Sequence, residues 1–125
     1  MLAQHNKVSA NIHFYGNASP VELIQKYGSP LYVYNEDILR ARCQELKKLV
    51  SYPNFSVNYS VKANGNLSLL KIAKEEGLHV DAMSPGEIYV EQLAGFSSEE
   101  ILFISNNVSA EEMQYAIDRQ ITISV

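Results

Sequence analysis

Cysteine is almost absent from this sequence, because Cys43 is the only one in 125 residues. A single cysteine allows neither an intrachain disulfide nor a zinc site built from several thiolates. Long apolar runs are also lacking, and the start, MLAQHNKVSANIH, has no apolar core of the kind that a secretory signal peptide needs. These absences argue against secretion and membrane insertion, so we expect a cytoplasmic protein.

The sequence also lacks an excess of positive charge. Ten lysines and arginines stand against fourteen aspartates and glutamates, which gives a formal net charge of -4. That sign is wrong for a chain that binds nucleic acid or an anionic membrane surface. The three histidines, His5, His13 and His79, are far apart and show no metal-ligand spacing. We therefore expect a small-molecule or protein partner and no metal site.

What the sequence does contain is a repeated pattern of helix and strand signals. A serine followed three residues later by glutamate, which is the spacing of a capping box, occurs at Ser19, Ser84 and Ser109. The predicted helices are 20–27, one that follows Asn35, 67–76, 85–94 and 110–119, and the predicted strands are 31–34, 55–61, 78–82, 101–105 and 121–125. Such alternation indicates consecutive βαβ units and a parallel sheet. The fold class is α/β, and a barrel and a doubly wound sheet both remain open.

The residues most suited to chemistry stand where predicted strands end. Lys62 follows one strand, Asp81 ends the next, and Ser105 and Asn106 end the third. The carboxyl ends of parallel strands share one edge of the sheet, where ligands bind in such folds. No acidic residue within four positions offers Lys62 a local ion pair. The alternative interpretation is a solvated loop lysine and a carboxylate that caps a helix.

A resemblance to a known family begins at this lysine. The motif Tyr-Ser-Val-Lys-Ala-Asn at 59–64 resembles the cofactor-holding segment of the alanine-racemase-fold (fold type III) decarboxylases, which use pyridoxal phosphate (PLP). Three further segments resemble the same family, at 29–34, 80–87 and 101–107. Members decarboxylate diaminopimelate, ornithine, arginine or carboxynorspermidine. The Ser-Pro-Gly-Glu and Phe-Ile-Ser-Asn-Asn stretches favour the members that convert meso-diaminopimelate to L-lysine.

The resemblance implies a (β/α)8 TIM barrel whose first strand ends at Lys62. Residues 36–125 would then be the first half of this PLP-binding barrel, truncated at about the fourth strand. Residues 1–35 would be an N-terminal segment that packs with an absent C-terminal β domain. The intact enzyme is expected to be a homodimer that acts on a small amino acid, and this chain alone is expected to be inactive.

The resemblance also implies roles for individual residues. Lys62 would hold PLP covalently and act as the catalytic lysine, and Asp81 would lie close to the cofactor. An amine that attacks an aldehyde must be neutral, which burial favours. Glu87 fits a helix-capping role at least as well as a role in the site. Cys43 is expected in the core. The residues that bind the phosphate group of PLP are expected beyond residue 125. Other proteins of this fold remain alternatives: another basic amino acid decarboxylase, a PLP-binding protein without turnover, or an alanine racemase.

Overall fold

The computed structural model describes residues 14–125, and His5 and His13 lie outside this range. The chain divides into two compact units, Met1–Arg42 and Cys43–Val125. None of the helices in the described range is long and apolar enough to cross a membrane.

The first unit contains helix α1, Pro20–Tyr27, and most of helix α2, Glu36–Lys47. Both helices begin where the sequence predicts. The Ser19 hydroxyl accepts from the Glu22 N–H, and the Glu22 carboxylate accepts from the Ser19 N–H, which completes a capping box. The Asn35 side chain accepts from the Ile38 N–H at 2.9 Å and so caps α2. No residue between 14 and 42 is buried.

The predicted strand at residues 31–34 is wrong. This segment has no regular secondary structure. A run such as Leu-Tyr-Val-Tyr forms a strand only when a neighbouring strand supplies hydrogen-bond partners, and the described part of the first unit contains no strand.

The second unit alternates strands and helices. Its elements are strands β1 Asn58–Ser60, β2 His79–Ala82, β3 Ile101–Ile104 and β4 Thr122–Ser124, and helices α3 Leu67–Glu75, α4 Pro85–Ala94 and α5 Ala110–Asp118. Two 3-10 turns, Val61–Ala63 and Ser98–Glu100, lie after β1 and before β3. All strand pairs are parallel, and the strands lie in the order β1-β2-β3-β4. This sequential order is typical of a barrel, because a doubly wound sheet reverses its order at a switch point.

The two faces of the sheet differ in burial. On one face the side chains of Val80, Ala82, Ile101 and Phe103 are at most 1% exposed. The buried helix residues belong to this same core: Leu70 and Ala73 of α3, Ile88 and Ala94 of α4, and Ala116 of α5. The other face carries half-buried residues such as Asp81 and Leu102. Because side chains alternate along a strand, the helices cover one face and leave the second more open.

Strand β1 is shorter than the sequence predicts. The alternation at 55–61 predicts seven strand residues, but the ladder covers only Asn58–Ser60, and Val61–Ala63 forms a 3-10 turn. The length of a strand depends on its partner, and β2 has only four residues. A backbone bond from His79 N–H to the Val57 carbonyl, 2.9 Å long, precedes the ladder.

The helical spacing of Leu39, Cys43, Leu46 and Val50 predicts one apolar stripe on α2, and the structure confirms it only in part, because α2 ends at Lys47. Cys43 is 4% exposed and belongs to the core, as expected. Leu46 and Val50, predicted on the same stripe, are both 44% exposed. Lys47 and Lys48 are expected on a solvated helix face, but Lys47 also makes a specific contact: its Nζ donates to the Glu76 carbonyl at 2.8 Å.

Candidate functional site

Lys62 lies in the 3-10 turn that joins β1 to α3. The turn is fixed by its neighbours: the Tyr59 hydroxyl donates to the Asn64 carbonyl at 3.2 Å, and the Asn64 side chain accepts from the Asn66 N–H at 3.0 Å. Asn66 in turn caps α3 by accepting from the Ser68 N–H at 2.9 Å. The Lys62 amine therefore extends from a rigid support at the carboxyl end of β1.

A cleft of about 400 Å³ opens beside this lysine. It is lined by Val61, Lys62, Gly65, Ser84, Gly86, Glu87 and Val90, which come from the β1–α3 connection and the start of α4. Its volume lies within the range of about 300 to 1,000 Å³ that small-molecule sites occupy. The Lys62 side chain is exposed, so the described residues do not supply the burial that its expected role requires.

Glu87 lines the same cleft and also helps to start α4. Its N–H donates to the Ser84 hydroxyl at 3.2 Å, as the predicted cap requires. Its carboxylate accepts from the Met83 N–H at 2.6 Å, one residue before the position that a capping box predicts. The capping box predicted at Ser84 is therefore confirmed only in part: Ser84 caps α4, while the Glu87 carboxylate binds the residue before the cap and lies on the wall of the lysine cleft.

Asp81 lies on the more open face of β2 rather than on the wall of that cleft. The Ser60 hydroxyl donates to Asp81 Oδ2 at 2.7 Å. The turn that carries Lys62 packs against β2, so the two candidate residues belong to neighbouring elements. The helix-cap alternative for Asp81 is wrong, because Ser84 caps the helix that follows.

Glu91 is a residue of this region that sequence reasoning missed. It lies one helical turn after Glu87 on α4, its side chain is 0% exposed, and neither carboxyl oxygen has a hydrogen-bond partner among the described residues. Burial, then the charges of Glu87 and Asp81, raise the pKa of Glu91 from 4.5 to about 8. The available signal was its spacing of three from Ile88, which places both residues on one helix face.

Within residues 14–125 no group of three or more histidine, cysteine, aspartate or glutamate side chains could hold an ion. His79 is half-buried on β2. Ser105, expected at the same edge as Lys62, follows β3 and donates its hydroxyl to the Ser124 carbonyl at 2.6 Å, so it ties β3 to β4.

The comparisons with known proteins agree with this fold. Residues 36–125 match the family model described as "Pyridoxal-dependent decarboxylase, pyridoxal binding domain". The chain belongs to this family, its cofactor is pyridoxal phosphate, and its fold is the first part of the fold type III barrel that the sequence predicts. A lysine amine beside a cleft of this size fits a cofactor that binds through an aldehyde.

The similar proteins carry one recurring name. Diaminopimelate decarboxylase of Methanothermobacter thermautotrophicus is 45% identical over 112 residues, which is 88% of this chain and 26% of that protein. The Bacillus subtilis enzyme of that name is 37% identical over 108 residues, covering 85% of this chain and 25% of its own length.

Solved structures give the same result. Diaminopimelate decarboxylase from Helicobacter pylori, complexed with L-lysine, has a TM-score of 0.79 and 27% identity, over 86% of this chain and 28% of that one. The enzyme from M. jannaschii, in complex with L-lysine, has a TM-score of 0.73 and 29% identity, over 84% of this chain and 26% of that one. The chain thus spans about a quarter of the length of these relatives.

Proposed function

We propose that the polypeptide to which this chain belongs decarboxylates meso-diaminopimelate to L-lysine, with PLP as its cofactor, in lysine biosynthesis. The observation that carries the proposal is Lys62, whose amine stands at the carboxyl end of β1 beside a cleft of ligand size. The names of the relatives support the substrate, and the L-lysine in two similar structures is the product of this reaction.

Lys62 is proposed to hold the cofactor covalently through Nζ and to release it when the substrate amine binds. PLP held there would supply the electron-withdrawing group that the decarboxylation of an amino acid requires. The substrate loses carbon dioxide and takes up one proton at the same carbon. Lys62 fixes where this happens, because its turn is held by the Tyr59–Asn64 and Asn64–Asn66 hydrogen bonds.

Two carboxylates are proposed to set the charge around the lysine. Glu87 lines the cleft and is fixed by the Met83 N–H. Asp81 is fixed by Ser60 on the strand next to the lysine turn. A carboxylate beside a bound ligand can orient the polar groups of that ligand through hydrogen bonds. We assign Asp81 to cofactor binding and Glu87 to the wall of the cleft.

The attachment point can be tested directly in the full-length polypeptide. Reduction with borohydride followed by peptide mapping should place the phosphopyridoxyl mass on Lys62. The variant Lys62→Ala should lose turnover and retain its fold, since an exposed side chain contributes little packing. The matched control is Lys71→Ala, an exposed lysine on α3, which should remain active. The label on Lys71 or another lysine would refute the assignment.

The substrate needs a separate test. Carbon dioxide release should be measured with diaminopimelate, ornithine, arginine and carboxynorspermidine under the same conditions. The highest kcat/KM is expected for diaminopimelate. A preference for another amine would support a different decarboxylase of this fold, and cofactor binding without release from any of them would support a non-catalytic PLP-binding protein.

We also propose how the chain is completed. Residues 1–35 pack with a β domain encoded outside this chain, and this is supported by the exposure of Val21, Tyr27 and Tyr32, which are 63%, 61% and 86% exposed. The intact enzyme is proposed to be a cytoplasmic homodimer, and a single cysteine is compatible with a reducing compartment. The 125 residues alone are proposed to be inactive, because they supply Lys62 without a recognisable phosphate-binding loop, a partner for the pyridine nitrogen or a wall for the substrate. Among residues 14–125, β1 and β4 also have a neighbouring strand on one side only.

A further inference from the structure

Ser60 and Asp81 form a side-chain pair across two parallel strands. They are direct partners in the β1–β2 register, so their side chains leave the sheet on the same face. The Ser60 hydroxyl donates to Asp81 Oδ2 at 2.7 Å, the length of a good bond between a hydroxyl and a carboxylate. Ser60 also directly precedes the turn that carries Lys62.

Ser60 is the donor that fixes this carboxylate. On the other side of Asp81 the register partner is Leu102 of β3, whose side chain has no polar group. Among residues 14–125, Asp81 Oδ1 receives no donor. A single hydrogen bond therefore holds Asp81 in one orientation and leaves one oxygen available.

We propose that Ser60 is a positioning residue of the cofactor site: its hydroxyl fixes the Asp81 carboxylate on the more open face of the sheet, beside the turn that carries Lys62. Asp81 Oδ1 is thereby left to a ligand that extends from Lys62 over that face. The proposal rests on the proposed function, since it requires a ligand at that lysine. Ser60 itself contacts Asp81 rather than the ligand. Its effect on cofactor binding should therefore depend on the presence of the Asp81 carboxylate.

The chain contains a matched control for a hydrogen bond of purely structural effect. The Ser97 hydroxyl donates to Glu100 Oε2 at 2.9 Å, which is the same pair of chemical groups. This pair lies in the turn before β3, at the amino end of the sheet and therefore away from Lys62. Ser97→Ala removes a serine–carboxylate bond without altering the candidate site.

The test is a double-mutant cycle in the full-length polypeptide loaded with PLP. The variants are Ser60→Ala, Asp81→Ala, the double variant, the rescue variant Ser60→Thr and the control Ser97→Ala. The readouts are the cofactor dissociation constant, the visible absorbance band of the bound cofactor against pH, and the unfolding midpoint of the apoprotein. Ser60→Ala should weaken cofactor binding by about tenfold and shift the absorbance titration.

The expected result is non-additive. Ser60→Ala should have little further effect when Asp81 is already alanine, because the two residues act through one bond. Ser60→Thr should restore binding, and Ser97→Ala should change only the unfolding midpoint. Additive effects of Ser60→Ala and Asp81→Ala would overturn the proposal, as would an absorbance titration that Ser60→Ala leaves unchanged.

A failure of the proposed function would look different. In that case the wild-type polypeptide would show no cofactor on Lys62 after borohydride reduction, whatever residue stands at position 60. The positioning by Ser60 has its own readout, a crystal structure of the Ser60→Ala apoprotein. Reorientation of the Asp81 carboxylate is expected there, and an unchanged carboxylate would contradict the role of Ser60 even if Lys62 binds the cofactor.

Discussion

Replacing Glu91 by glutamine should make the fold more stable at neutral and alkaline pH, with a gain that grows as the pH rises. The Glu91 carboxyl is 0% exposed and neither of its oxygens has a hydrogen-bond partner among the described residues. A charge in such a place is costly, so the folded chain keeps this group protonated. Glutamine has nearly the same shape and never ionises.

The size and sign of the effect follow from linkage. The pKa of Glu91 is raised from 4.5 to about 8 in the folded chain, so the folded state holds a proton that the unfolded state releases. The stability of the wild type is therefore complete below pH 4.5 and falls until the pH reaches about 8. Relative to its value below pH 4.5, the free energy of unfolding of the wild type is lower by about 3 kcal/mol at pH 7 and by about 5 kcal/mol above pH 8.

The assay is urea unfolding of the full-length polypeptide and its Glu91→Gln variant at a series of pH values between 4.5 and 9. The two midpoints should nearly coincide at the acid end, because both side chains are then neutral, and should separate steadily up to about pH 8. The control is Glu111→Gln, which removes an exposed carboxylate from α5. Exposed substitutions usually change stability by less than about 0.5 kcal/mol.

Parallel midpoint curves for wild type and Glu91→Gln would refute this reasoning, since a constant difference means that Glu91 does not change its ionisation with folding. A wild type that is more stable than the variant at pH 8 would show that the carboxylate is ionised and paired.

The remaining predictions concern the lysine site, an ion pair and the isolated chain. Asp81→Ala should weaken cofactor binding in an equilibrium titration by about tenfold or more, while the loss of its bond to Ser60 lowers stability by only about 1 kcal/mol; a normal cofactor affinity would contradict this. Lys74 Nζ donates to both carboxylate oxygens of Glu100, at 2.5 and 2.6 Å. The hydrogen bonding by Lys74, and to a smaller extent the bond from the Ser97 N–H, lowers the pKa of Glu100 from 4.5 to about 2. Glu100→Gln should therefore lower the free energy of unfolding, measured in urea, by about 1–2 kcal/mol above pH 5. This loss should vanish as the pH falls toward 2, because the Glu100 carboxylate stabilises the fold only while it is ionised. Residues 1–125 alone should neither release carbon dioxide from diaminopimelate nor bind PLP tightly, and they should self-associate through their sheet edges in light scattering; a monodisperse, active monomer would contradict this.

Most helix boundaries could be predicted because their signals are local. The capping residues Ser19, Asn35 and Ser109 each accept from an N–H three residues further along, so neighbouring sequence is sufficient. Gly95 ends α4 with a φ of 101°, a left-handed conformation that glycine adopts without strain. Strand lengths were predicted less well. Residues 31–34 have strand-forming residue types and residues 55–57 alternate like a strand, but no ladder forms at either place, because a strand requires a partner that is distant along the chain.

Some features of the candidate site could also be predicted from the sequence, and others could not. Lys62 was found from its place after an alternating segment and from its motif, both of which are properties of the sequence. The bond between Ser60 and Asp81 could not be predicted from the sequence, because it depends on the register of two strands that are separated by α3. Glu87 was predicted as a cap, but only the path of the chain at Met83 shows which N–H it accepts from.

The sequence by itself determined the α/β alternation, the starts of the helices and the family motif around Lys62, since each depends on residues within a few positions of one another. Only the tertiary structure decided that Glu91 is enclosed without a partner and that Asp81 is held by Ser60. Both facts arise when α4 packs on the sheet and β1 pairs with β2, and these contacts join residues that are distant along the chain. Burial and strand register are therefore properties of the folded chain, and they set the charge and geometry around the lysine.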